Sequence, residues 1–328
     1  MVHSARITNL KTTQREPGNV IYWMSRDQRL RDNWALLHAR DVAKQTGGEF
    51  AVVFCLTSDF PGATIRHYTF MLEGLRETAQ SIQLLNIPFY LLQGDPVEKL
   101  SRFINDHNIS HVITDFDPLQ IKRSWKEKLI DQLNINLVEV DAHNIVPARF
   151  ASNKMEYGAY TLRPKIHKHL SEFLEVFPEL ELQPKTFKFK IQQPDWTSIF
   201  KTLKVDRKVP VVDWIHPGED AALDMLNYFI SEKLRYYPEK RNDPNEDGTS
   251  NLSPYLHFGQ MSAQRIAREV LRTHEKNPGT DSFLEELIVR RELSDNYCLY
   301  NEDYDTLANI PEWARITLEE HRNDEREY

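Results

Sequence analysis

Three stretches of the chain hold residue types that could do chemistry. The first is "GTSNLSPYLHFG", Gly248 to Gly259, which combines hydroxyls, a Ser-Pro step and two glycines. Ser253 before Pro254 reads as a helix N-cap followed by proline in the first turn. Thr249 and Ser250 add two hydroxyls just upstream. The N–H groups of such a turn, at the positive end of a helix, hold phosphate oxygens well. A plain capped helix accounts for the same residues equally well. His257 and Gly259 then become a packed imidazole and a chain break before the next cap, Ser262.

The second stretch is "SRDQRLRDNWAL", which carries Arg26, Asp27, Arg29 and Asp32. It lacks the Gly-x-Gly-x-x-Gly that lets a loop approach a pyrophosphate. Its plainer reading is four charges that pair among themselves and cap a helix. The third is "ELIVRRELSDN". At helical spacing Glu286, Arg290 and Leu293/Ser294 share one face, and Leu287, Arg291 and Ser294 the next. An acid and two arginines form either an internal ion-pair network, the plainer reading, or a polar floor for a ligand.

Elements that would position these residues follow from the apolar pattern. Strand-like runs occur at "VIYWMS" from Val20, "FAVVFCL" from Phe50, "PFYLLQG" from Pro88, "HVITDF" from His111 and "INLVEVD" from Ile135. Amphipathic stretches separate them: Trp34 to Gln45, Arg66 to Leu85, Pro96 to His107 and Ser124 to Leu133. Asp32 reads as the cap of the first, with Gly47-Gly48 closing it, and Asp95-Pro96 as the start of the third. This rhythm predicts a doubly wound parallel sheet, α/β in class. Residues 1–18 read as a polar tail or surface arm, 19–150 as the α/β domain and 151–217 as a proline-rich connector. That connector holds one helix from Pro164 to Phe177 and two exposed-looking tryptophans, Trp196 and Trp214, and it wraps between domains. Residues 218–328 read as an all-helical domain, from the 3.6-residue stripes of "EDAALDMLNYFISEKL", "SAQRIAREVLRTHE" and "SFLEELIVRRELSDNYCLY".

Composition narrows the functional classes. The chain has 328 residues, with 41 Lys and Arg against 49 Asp and Glu, for a net charge of −8. That balance argues against a protein that coats nucleic acid non-specifically, yet leaves room for a local basic face. Two cysteines, Cys55 and Cys298, give neither a zinc spacing nor a disulfide framework and suit a reducing cytosol.

Taken together, "YWMSRDQRLRDNWAL", "EYGAYTLRPKI", "YYPEKRNDPNEDGTSNLSPYLHFGQMSAQR" and "FLEELIVRRELSDNYCLYNEDYDTL" resemble, in that order, class II cyclobutane pyrimidine dimer photolyases. The resemblance runs from about Val20 to Tyr328. It implies a Rossmann-like antenna domain, a long connector and a helical domain that holds FAD. Tyr237, Thr249, Ser250, Asn251, Leu252 and Ser253 would match positions that contact the FAD phosphates and ribityl chain. Glu286 would match the acid that hydrogen-bonds the damaged bases, and so the catalytic position. Arg290 would lie at the mouth of the dimer pocket, and Arg241 and Asn242 would contact the lesion and its phosphates. The implied reaction splits the cyclobutane ring with an electron from photoexcited reduced FAD, which then takes it back. No side chain serves as nucleophile; the protein holds flavin and dimer close and stabilises transient charge. A second antenna chromophore, of deazaflavin or folate type, is also implied.

By the same resemblance the chain stops early, because family members continue with helices that complete the flavin-ring pocket. The expectation is an N-terminal portion that by itself retains FAD weakly or not at all and that a separate C-terminal chain could complement. It would be a cytoplasmic, nucleoid-associated, nuclear or organellar monomer acting on damaged double-stranded DNA. The competing readings are a cryptochrome-like blue-light sensor and a non-catalytic remnant.

Overall fold

The five apolar runs form strands that are covered on both faces. The computed structural model describes residues 1–14, 17–185, 188–273 and 278–326. In chain order the sheet is built from β1 (Ile7–Lys11), β2 (Asn19–Met24), β3 (Phe50–Leu56), β4 (Phe89–Gln93), β5 (Ile109–Asp115) and β6 (Asn136–Val140). Its spatial order is β1-β6-β5-β2-β3-β4. Every pairing is parallel except β1 against β6. All six residues of β2 are buried, as expected for a parallel strand with helices on both sides.

Helices α1 (Trp34–Thr46) and α2 (Ile65–Leu84) cover the face that holds Val20, Tyr22 and Met24. Helices α3 (Pro96–Asp106) and α4 (Gln120–Gln132) cover the face of Ile21 and Trp23. The chain reverses its lateral direction at β2, with β3 and β4 on one side and β5 and β6 on the other. The carboxyl ends of β2 and β5 therefore flank a topological switch point, where such sheets bind ligands.

Two local readings need correction. Asn33, not Asp32, caps α1, its side chain accepting from the Leu36 amide. The N-terminal segment is more than a tail. Its β1 adds an antiparallel edge strand, and Arg6 just before it is buried. Arg6 donates to the carbonyl oxygens of Asp141, Asn144 and Ile145 at 2.9–3.0 Å and to Gln264 Oε1 at 3.2 Å. Its guanidinium also lies over the Trp34 and Phe173 rings.

After α5 (Ala148–Ala151), the described residues of the connector form two helices. Helix α6 (Ala159–Phe173) starts five residues before Pro164 and buries Leu162, Ile166 and Phe173 in the core of the helical half. Helix α7 (Trp196–Thr202) presses Ile199 against the α/β core, with Leu203 just beyond it. Trp196 packs there too, whereas Trp214 is exposed. The connector thus contributes to both cores, because each helix carries its own apolar stripe.

The helical half comprises α8 (Glu219–Tyr228), a π turn (Phe229–Lys233), a 3-10 turn (Leu234–Tyr236), α9 (Tyr237–Lys240), α10 (Ser253–His257) and α11 (Ala263–Arg272). It continues with α12 (Pro278–Leu284), a second π turn (Glu285–Arg290), α13 (Arg291–Tyr300) and α14 (Glu312–Glu320). Among the described residues no helix is long and apolar enough to cross a membrane.

Candidate functional site

The loop after β2 joins the two halves. Asp115, at the end of β5, accepts from Tyr22 Oη at 2.6 Å and from the amides of Ser25, Arg26 and Asp27 at 2.8–3.0 Å. That grip turns the loop outward, and its charges do not simply pair among themselves. Arg29 holds Asp27 at 2.5 Å, but Arg26 forks onto Asp295 of α13 at 2.8–2.9 Å. Asp32 takes Arg265 of α11 at 2.6–2.7 Å, and Glu219 accepts from the amides of Leu30 and Arg31. Burial works to raise Asp295, and the Arg26 charge overcomes it and holds the carboxyl at about 2. Gly259, at φ +63°, lies so close to this loop that a β-carbon would stand 2.2 Å from the Arg26 carbonyl oxygen.

A cavity of about 740 Å³ opens at the switch point between the halves. Phe60, Lys122, Trp125 and Cys55 line it from the α/β side, and His257, Arg291 and Cys298 from the helical side. Lys122 donates to Ser25 Oγ at 3.0 Å and lies over the Trp125 ring at 4.7 Å. Burial lowers its pKa and pushes the Cys55 thiol up. Among the described residues no His, Cys, Asp and Glu group is arranged for a metal ion.

The stretch Gly248 to Gly259 forms a turn and then a helix of five residues, α10. Ser253 is its first residue and caps nothing; Leu252 holds the cap position without a side-chain bond. So short a helix adds little dipole, and the remaining attraction for anions is local. Asn251 sits in the left-handed region at φ 57°, which folds the turn back. Thr249 Oγ1 donates to Asn251 Oδ1 at 3.2 Å, and the Leu252 amide to Ser250 Oγ at 3.4 Å. The Ser253 hydroxyl and the amides of Ser250, Asn251 and Ser253 have no acceptor among the described residues. Free donors around an exposed turn fit a pyrophosphate. Gly248 makes the turn possible, because a β-carbon there would meet the Lys240 backbone at 2.5 Å. Lys233 secures it further, pairing with Asp247 at 2.6 Å.

Tyr237 and Arg241 stand beside this turn on α9 and just beyond it. Tyr237 is buried edge-on against Phe229 and Phe283, with the Arg241 guanidinium 5.5 Å from its ring centre. Arg241 Nη1 pairs with Glu286 Oε1 at 2.6 Å, and that bond raises the arginine's pKa. Arg290 does not share this pair. The π turn widens the helix, so Arg290 reaches Glu285, five residues back, at 3.4 Å. Glu285 also takes Arg163 of α6 in a two-pronged contact at 2.7 and 3.0 Å. Neither Glu285 nor Arg163 was singled out from the sequence, although Arg163 stands inside "EYGAYTLRPKI". Arg291 points the other way, into the interdomain cavity, and Asn242 is exposed. The structure thus gathers Tyr237, Arg241, Glu286 and the turn 249–253 on one side, with Arg290 at its edge.

Glu292 behaves differently from these surface acids. It is buried, accepts from the Ile145 amide at 2.6 Å and lies 3.4 Å from Arg291. Burial outweighs that arginine, with Asp141 and Asp295 adding repulsion, and raises the carboxyl to about 8. The folded protein therefore binds a proton that the unfolded chain releases near 4.5, and stability falls as pH rises toward 8. His143 opposes this below its ordinary 6.5, because burial lowers it to about 4. The net fall is expected between pH 6.5 and 8, about 1–2 kcal/mol by urea unfolding. Glu292→Gln should flatten that interval. An equal fall in both proteins would assign the effect elsewhere.

The sequence pattern of the DNA photolyase family matches residues 20–184. A deoxyribodipyrimidine photo-lyase of Potorous tridactylus is 47% identical over 93% of the chain and 58% of its own length. One of Arabidopsis thaliana is 45% identical over 100% of the chain and 69% of its own length. The chain thus spans 58% to 69% of these relatives' own length. Among solved structures, a Synechocystis cryptochrome superposes with a TM-score of 0.70 at 20% identity, covering 93% of this chain and 68% of its own. A class III photolyase from Agrobacterium tumefaciens superposes at 0.62 and 21% identity, covering 95% of this chain and 66% of its own. At these identities the superpositions establish the fold.

Proposed function

Because the chain belongs to the DNA photolyase family, we propose that it serves light-driven repair of cyclobutane pyrimidine dimers in double-stranded DNA. The observation that carries this reading is the juxtaposition of an anion-ready turn, Thr249 to Ser253, with the Arg241–Glu286 pair. Tyr237 and residues 249–253 would hold FAD, the turn taking its phosphates on free amides and hydroxyls. When bound and reduced, FAD supplies the electron on excitation.

The chain's own residues do the rest. A flipped dimer needs cations for its phosphates and partners for its base edges, and Arg241, Asn242 and Arg290 offer both. Glu286 hydrogen-bonds the damaged bases once Arg241 turns from it to the DNA. The aromatic walls of Tyr237, Phe229 and Phe283 keep Arg241 in place beside the pocket. The cavity at the switch point, with its ring-stacked Lys122, suits a deazaflavin or folate antenna chromophore in size and polarity.

The test is loss of dimers from ultraviolet-irradiated duplex DNA, with reduced FAD supplied, under blue light against darkness. Loss only in the light is the expected result, and no loss with flavin bound overturns the reading. Glu286→Gln should lower the repair yield about tenfold, the worth of one charge-assisted hydrogen bond to the reacting bases. An unchanged yield would remove Glu286 from the mechanism.

A further inference from the structure

The segment between α5 and α6 is fixed in place by its neighbours, yet with the first turn of α6 it presents two unsupported aromatic rings. Ser152 Oγ donates to Glu156 Oε1 at 2.5 Å, and Lys165 closes on the same carboxylate. The Glu156 amide donates to Asn296 Oδ1 at 2.8 Å, and Asn296 Nδ2 donates to the Lys154 carbonyl at 3.0 Å. Tyr300 Oη donates to the Ser152 carbonyl at 2.7 Å. Tyr157, on this anchored turn, is 85% exposed, and Tyr160, in the first turn of α6 that follows it, is 71% exposed. Neither ring has a hydrogen bond or an aromatic partner among the described residues. Single exposed tyrosines are ordinary, but two on this anchored turn and the helix start that follows it are not explained by folding.

Their surroundings carry one sign of charge. The exposed positions from 154 to 168 are Lys154, Tyr157, Tyr160, Pro164, His167 and Lys168, with no carboxylate among them, in a chain of net charge −8. Glu156 is buried against Lys165, and Lys154 and Lys168 have no ion-pair partner among the described residues. Tyr160, Pro164 and Lys168 recur every four residues, which forms a ridge about 12 Å long on α6. That ridge lies beside the proposed lesion pocket, because Arg163, within one turn of Tyr160, grips Glu285 next to Glu286.

We infer that the Tyr157–Tyr160 turn, with Lys154 and Lys168, is a second DNA-contacting surface that stacks on exposed bases and holds the backbone next to the flipped dimer. This rests on the repair reading above. Flipping a dimer leaves neighbouring bases without stacking partners, and flat rings on a fixed support meet them with little entropy to lose. The two lysines meet phosphates, whereas a protein partner would call for a broader apolar patch with fewer cations.

Fluorescence-anisotropy titrations of the full chain test this with three probes: a duplex carrying one thymine dimer, the same duplex undamaged, and a single-stranded thymine oligonucleotide. The double variant Tyr157→Ala/Tyr160→Ala is expected to bind the dimer duplex and the single strand at least about tenfold more weakly. Tyr157→Phe/Tyr160→Phe should stay within about twofold of the parent, since the rings remain. Lys154→Gln/Lys168→Gln should make the salt dependence shallower by about 1.5 in slope. The inference is overturned if the alanine variant, with unchanged melting temperature, keeps full affinity for both probes, or if the parent binds neither. It is also overturned if the alanine variant alters only sedimentation, which would make the turn a self-association face. A parent with no preference for the dimer duplex defeats the repair reading instead, and the single-strand arm still judges the tyrosines.

Discussion

Gly259→Ala should lower the unfolding free energy by about 2–5 kcal/mol, measured by urea denaturation. Two separate costs add. A non-glycine residue at φ +63° costs about 1–2 kcal/mol through the left-handed backbone. The new methyl would then stand 2.2 Å from the Arg26 carbonyl oxygen and 2.5 Å from Asp27 Cα, so the first loop must shift. Overpacking against backbone adds about 1–3 kcal/mol. Gly47→Ala is the control, because Gly47 has nearly the same φ, +68°, with nothing within 4 Å of its missing β-carbon. It should lose only the backbone share. Equal losses at the two positions would mean that the contact between loop and helical half carries no energy. The glycine that looked like a chain break is, on this account, the contact point of the two halves.

Arg6→Met should cost a comparable 3–5 kcal/mol. Methionine keeps an apolar stem but gives up the guanidinium's hydrogen bonds and its place over the Trp34 and Phe173 rings, so the loss reads the head group. Its removal strands the carbonyls of Asp141, Asn144 and Ile145, each buried, at about 1–3 kcal/mol for a group left unsatisfied. Gln264 Oε1 loses only one of two donors, because Trp34 Nε1 still reaches it at 3.1 Å. Burial also lowers the Arg6 pKa to about 10, against the opposing charge of Asp141, Glu175 and Glu292. A melting temperature within a degree of the parent would restore the view of residues 1–18 as a polar tail or surface arm.

The reasons that view arises from sequence are physical. Strands β2 to β6 are legible because parallel strands buried on both faces read as continuous apolar runs, and "FAVVFCL" matches β3 from end to end. "ITNLK", which forms β1, is an edge strand with no fully buried residue, and its polar letters look like a loop. The charges of the first loop were visible, but their partners were not. Asp295 lies 269 residues from Arg26, and Arg265 lies 233 from Asp32. No periodicity connects positions so far apart. The Arg241–Glu286 pair was hidden for a second reason: a π turn shifts the phase of the helix, so a 3.6-residue wheel groups Glu286 with Arg290 wrongly. At Ser253 the error was smaller. Proline in the first turn was read correctly, but the cap falls one residue earlier on Leu252.

The reach of the clasp between Arg26 and Asp295 also has a consequence during synthesis. At about 5–20 residues per second, the ribosome needs roughly 15–55 s to make the 269 residues that separate the two partners. Through that interval the α/β half can assemble its sheet, but Arg26 and Asp32 lack the Asp295 and Arg265 that clasp them, and the switch-point crevice stands open. Domains that emerge first and wait for a late partner expose apolar surface in the meantime. The emerging chain is therefore a client for chaperones until α11 and α13 arrive and the helical half closes on the loop after β2.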